Sequence, residues 1–82
     1  MPEVTYYVAL PFIASDDGLA VGEAMECFSP DAAVMRADSL SRREGHTGAV
    51  AFSRSGDPAT GDFNDATIIR TFGNVPEDLS GL

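Results

Sequence analysis

From Val4 to Ile13 the even positions Val4, Tyr6, Val8, Leu10 and Phe12 form an unbroken apolar series in a segment rich in β-branched and aromatic residues. A period of two in such residues predicts a strand. Asp16-Asp17-Gly18 follows. An Asp-Gly pair suits a two-residue turn with positive φ at both central positions, so a hairpin is expected with Asp17 and Gly18 as its loop. That loop would set Leu10 opposite Met25, Val8 opposite Cys27 and Phe12 opposite Glu23, assigning Met25 and Cys27 to the apolar face of the first strand. Pro11 has no N–H to give to a ladder, so the strand should bulge, end or lack a partner on one side there.

The period then changes. Ser29-Pro30-Asp31 reads as a helix start, with Ser as N-cap, Pro at the first helical position and an acid at the positive end of the dipole. The helix is expected from Pro30 to Glu44, stopped by Gly45, with Arg42 and Arg43 in its last turn. Its apolar stripe of Ala33, Val34, Ala37 and Leu40 is narrow and mostly small, which lets it sit close on a sheet. Phe28 should close over Ala33 as a hydrophobic staple.

A second hairpin follows. In Asp57-Pro58-Ala59-Thr60-Gly61, Pro suits the second position of a type I turn and Gly the left-handed residue that rejoins the strands. Closing this loop with Asp57 opposite Asp62 predicts Arg54 opposite Asp65 as a cross-strand ion pair, Phe52 opposite Thr67 and Val50 opposite Ile69. Residues 1–75 therefore read as a single α+β domain of ββαββ type, with 76–82 a loosely held tail. The helix is a crossover, so strands two and three run parallel, and a four-stranded, largely antiparallel sheet of order 2-1-3-4 results, with 2-1-4-3 as the alternative. One helix covers one face. The other face is expected to carry Tyr7, Ala9, Ile13, Ala49, Ala51 and Ile68 toward solvent, and Tyr7, Ile13, Ala49, Ala51 and Ile68 are the candidate interaction surface.

Composition narrows the functional classes. At 82 residues the chain holds one small core and no two-domain enzyme. Thirteen acids against five Arg, with no Lys, leave a net charge of −8, so the cationic surface on which nucleic-acid binding depends is missing. The apolar runs are too short for a membrane span and the N-terminus has no secretory signal pattern, which predicts a cytoplasmic protein without membrane or nucleic-acid partners. Cys27 and His46 each stand alone in the sequence, so neither an internal disulfide nor a zinc site is expected, and Cys27 is read as packing.

Chemistry-bearing patterns are sparse. Asp57, Asp62, Asn64 and Asp65 are oxygen ligands of the kind a hard cation prefers, but their spacing is not that of a calcium loop and Asp57 already has turn work to do. No nucleophile elbow, phosphate-binding glycine loop or His/Cys cluster occurs, so no cofactor is expected. Pro2 becomes a terminal secondary amine if Met1 is removed, and such an amine acts as a general base when its pKa is lowered. Met1-Pro2 resembles the start of the tautomerase superfamily, which uses that amine. The likeness covers two residues, and the chain departs from it at once, since that family enters a helix after strand one whereas a hairpin intervenes here. The segments Tyr6–Phe12 and Gly48–Pro58 resemble those of short uncharacterised proteobacterial proteins, a likeness that implies no activity.

These features favour a small acidic, non-enzymatic module for protein interaction or self-association, acting through the uncovered sheet face or an edge strand, with a protein partner or a homodimer as its complex. The alternative is a small enzyme or a ligand- or metal-binding protein using Pro2 or the acidic 57–65 loop. A third reading, mimicry of nucleic acid, requires the acids to line one surface.

Overall fold

The computed structural model describes residues 3–16 and 18–76. Pro2 and most of the 76–82 tail therefore lie outside the described residues. The elements are β1 (Val4–Ser15), β2 (Gly18–Val21), β3 (Met25–Cys27), α1 (Pro30–Ser41), β4 (His46–Asp57), β5 (Asp62–Phe63) and β6 (Thr67–Gly73). They form one helix packed on a curled antiparallel sheet, the expected α+β class. β1 and β4 are the central pair, in register from Val4 opposite Gly56 to Phe12 opposite Gly48. β2 and β3 flank β1, and β5 and β6 flank β4. The four expected strands thus become six segments, because the second and the fourth are each interrupted.

The first interruption traces to Pro11. Its carbonyl accepts from Gly22 N at 2.8 Å, and its missing N–H faces the same side of the strand. β2 ends at Val21 and β3 begins at Met25, so the gap falls where β1 has no donor. Gly22 fits there because a Cβ would lie 2.9 Å from Pro11 Cγ. The register changes across the gap. Ser15 lies opposite Gly18 and Phe12 opposite Val21, so Gly18 belongs to β2 and not to the loop, while the expected loop residue Asp17 lies outside the described residues; beyond the gap Tyr7 faces Cys27 and Ala9 faces Met25. The expected pairs Leu10–Met25 and Val8–Cys27 are displaced by one, which moves Met25 and Cys27 to the opposite face.

The second hairpin closes as expected, with Asp57 opposite Asp62 and Gly61 at φ +77°. Asp57 carries the turn: its carbonyl accepts from Gly61 N at 2.9 Å and its Oδ1 from Ala59 N at 2.9 Å. Past Phe63 the ladder breaks over 64–66 and slips again by a bulge near Ile69, so Phe52 faces Ile68 and Ala51 faces Arg70. The expected Val50–Ile69 and Phe52–Thr67 pairs do not form. Nor does the Arg54–Asp65 ion pair, since Arg54 lies opposite Tyr6 and the only ion pair among the described residues is Arg42–Asp38.

Ser29 caps α1 as expected, its Oγ accepting from Ala32 N at 3.1 Å. The helix stops at Ser41, three residues early. Ser41 Oγ donates to the Asp38 carbonyl at 2.7 Å, the His46 ring takes the Leu40 carbonyl at 2.7 Å, and backbone bonds from Arg42 to Ser39 and Arg43 to Leu40 tighten the exit. Arg42 and Arg43 consequently follow the last turn. Phe28 is 94% exposed and makes no staple.

The faces of the sheet are inverted relative to expectation. Ala33, Ala37 and Leu40 of α1 pack on Ala9, Ala49 and Ala51, with Tyr7, Met25, Cys27, Val34, Ile69 and Phe72 around them. The larger even-numbered residues, Leu10, Phe12, Val50 and Phe52, form a second cluster on the far face, closed by Val8, Ala66 and Val75. Small side chains on both surfaces let helix and sheet approach closely, whereas bulky ones need the room made by the curl of the sheet. A helix of 12 residues spans roughly 18 Å, but strands of 12 residues span roughly 40 Å. Part of the sheet is left beyond its reach.

Candidate functional site

The expected interaction surface is dispersed by this inversion. Ala49 and Ala51 are fully buried beneath α1, and Tyr7 is half-buried at the rim of the same layer. Ile13 is half-buried near the β1–β2 turn. Ile68 alone is exposed, and through its pairing with Phe52 it belongs to the face opposite the helix. The physical reason is the slip around Ile69, which exchanges the sides of Ile68 and Ile69 relative to β4.

The far face carries a cleft. Tyr6, Val8, Ala24, Phe52, Arg54 and Phe63 line a shallow cavity of about 360 Å³. Each wall has a local cause. Tyr6 and Arg54 are cross-strand partners on β1 and β4, and Phe52 follows two residues along the same face as Arg54. Phe63 is brought over them by the short β5 ladder, where Gly56 faces it. A Cβ at position 56 would run into the Phe63 ring, so glycine there lets the aromatic fold inward. The Tyr6 and Phe63 rings stand 5.8 Å apart at 44°, a tilted aromatic pair. Phe63 and Ile68 remain 39% and 40% exposed beside it.

Arg54 is the one cation of the cleft. Its Nε is buried and has no hydrogen-bond partner among the described residues. Two other arginines are differently placed: Arg42 pairs with Asp38 and Arg70 lies 5.0 Å over the Phe72 ring. An unsatisfied buried N–H costs more than a made hydrogen bond returns, so Arg54 is held in the cleft wall at a cost.

The remaining candidates are not brought together. Asp62, Asn64 and Asp65 are exposed, Asp57 is engaged in its own turn, and no group of three or more His, Cys, Asp or Glu with metal-holding geometry occurs among the described residues. Cys27 packs in the helix layer with its Sγ 3.7 Å from the Met25 carbonyl, and no hydrogen bond joins it to His46. Sequence reasoning missed Tyr6, Phe63 and Arg54 as a unit. The legible signal was the Gly56–Phe63 relation across a closed loop; the obstacle was the assignment of Tyr6 and Phe52 to the face under the helix. Comparison of the chain with protein-family models, curated proteins and solved structures found no match.

Proposed function

We propose that this chain is a non-enzymatic interaction module that receives an apolar segment of a basic protein partner on the sheet face opposite α1. The observation that carries the reading is the cleft of Tyr6, Val8, Ala24, Phe52, Arg54 and Phe63, with apolar walls and one unpartnered guanidinium Nε among the described residues. An occupant that inserts an aliphatic or aromatic side chain removes exposed apolar area, and a backbone carbonyl beside it accepts from the remaining N–H groups of the Arg54 guanidinium. The charge of −8 supports a basic partner, because attraction at long range raises the encounter rate, and it opposes a second acidic copy.

The test is selection of short peptides on the immobilised full chain. Enriched sequences are expected to hold one large apolar residue flanked by Lys or Arg, with binding lost by about tenfold or more in Phe63→Ser and retained in Phe28→Ser. Enrichment without an apolar anchor, or binding indifferent to Phe63→Ser, would overturn the proposal. So would a stable dimer in sedimentation that Phe63→Ser dissociates, since the face would then belong to a second copy.

A further inference from the structure

On the other face of the sheet, where α1 ends, a separate cavity of about 260 Å³ opens between Pro11, Glu23, Met25, Leu40, Arg43 and His46. Its two charged groups come from irregular backbone, and its imidazole from the first residue of a strand. Glu23 sits in the gap between β2 and β3 that Pro11 and Gly22 create, Arg43 follows the early end of the helix, and His46 opens β4. Pro11 and Leu40 are buried and Met25 is half-buried, so the apolar part of the lining is fixed by the core.

Two opposite charges line this cavity without pairing. Glu23 and Arg43 make no ion pair with each other or with any other described residue, while the neighbouring Arg42 is occupied by Asp38 at 3.2 Å. His46 is held in one orientation by the Leu40 carbonyl 2.7 Å from its Nδ1. A carbonyl only accepts, so Nδ1–H donates and Nε2 of the neutral ring is left as an acceptor. The cavity thus offers a cation, an anion, a neutral acceptor and an apolar wall. Its volume falls just below the roughly 300–1,000 Å³ of sites for drug-sized molecules, which sets the occupant at the size of a single amino acid.

We propose that this cavity binds a small zwitterion of the α-amino acid class with an unbranched or aliphatic side chain. The carboxylate meets Arg43, the ammonium meets Glu23 with His46 Nε2 as a second acceptor, and the side chain lies against Met25, Leu40 and Pro11. Simple dicarboxylates are opposed by Glu23 and the net negative charge, and diamines by Arg43. This site is independent of the cleft on the opposite face.

The experiment is a titration of the ¹⁵N-labelled full chain with L-leucine and L-methionine, followed by backbone amide shifts. Saturable shifts are expected over residues 22–25 and 40–46. N-acetyl-L-leucine, which lacks the ammonium, and L-leucinamide, which lacks the carboxylate, should each bind about tenfold or more weakly, as should L-leucine to Glu23→Gln and Arg43→Met. Both substitutions are at exposed positions, and unchanged shifts over residues 50–57 and β6 verify that the variants fold. Absence of saturable shifts with both amino acids, binding of either blocked derivative as tight as that of L-leucine, or indifference to Arg43→Met overturns the proposal.

Discussion

Single side chains in this molecule contribute according to which of two small cores they enter, and size alone is a poor guide. Phe28 is 94% exposed, whereas Phe12 is 2% exposed, so the same residue type has opposite weight at the two positions. Phe28→Ser is expected to leave the free energy of unfolding within about 0.5 kcal/mol of the parent, and Phe12→Ala to lower it by about 3–5 kcal/mol. Urea titrations of the two variants check both. Ser29 holds the first turn of α1 through the bond from Ala32 N, and Ser29→Ala should cost about 1 kcal/mol in the same assay. The exposed Asp38–Arg42 pair, by contrast, adds a few tenths of a kcal/mol at most. The N-cap was legible in the sequence because it needs only residues near one another in the chain. The absent staple was not, because Phe28 competes for a place over Ala33 with residues of the sheet that the sequence does not bring near it.

At the level of elements, the pairing of Gly22 with Pro11 makes the strand interruption testable. Gly22→Ala should destabilise by about 1 kcal/mol or more through the 2.9 Å approach to Pro11 Cγ, and by less in a Pro11→Ala background. Equal costs in the two backgrounds would show that the contact does not set the break. Pro11 announced an irregularity, and the elements, the crossover and the Asp57–Asp62 closure all followed from local pattern. The registers did not. Gly18 paired with Ser15 instead of standing in the loop, followed by a gap of three residues, is enough to carry Met25 and Cys27 to the other face. Hydrophobic pattern could not correct that slip, because both faces of β1 and β4 are apolar and only the match of Ala33 and Ala37 to Ala9, Ala49 and Ala51 decides which one the helix takes. The cleft was lost from view for the same reason, since Tyr6 and Phe52 lie on the face that α1 leaves alone.

For the whole molecule, one ion pair among the described residues set against a net charge of −8 means that self-repulsion outweighs local pairing. Raising the salt from about 0.01 M to about 1 M, which shortens the screening length from roughly 30 to roughly 3 Å, should raise the melting temperature while weakening any basic peptide bound at the cleft. A fall in melting temperature would mean that attractive charge pairs dominate. The interrupted strands also limit how a thin sheet, apolar on both faces, can be extended by a further chain. Its outer margins consist of segments of four, three, two and seven residues, separated by gaps and, in the longest, kinked by a bulge. A foreign or identical chain that began to zip along either margin would soon run out of aligned donors and acceptors, so the irregularities act as stops against fibril growth. Replacing Pro11 and Gly22 together by valine would mend one margin, and the repaired protein should seed thioflavin-positive fibrils under conditions in which the parent stays clear.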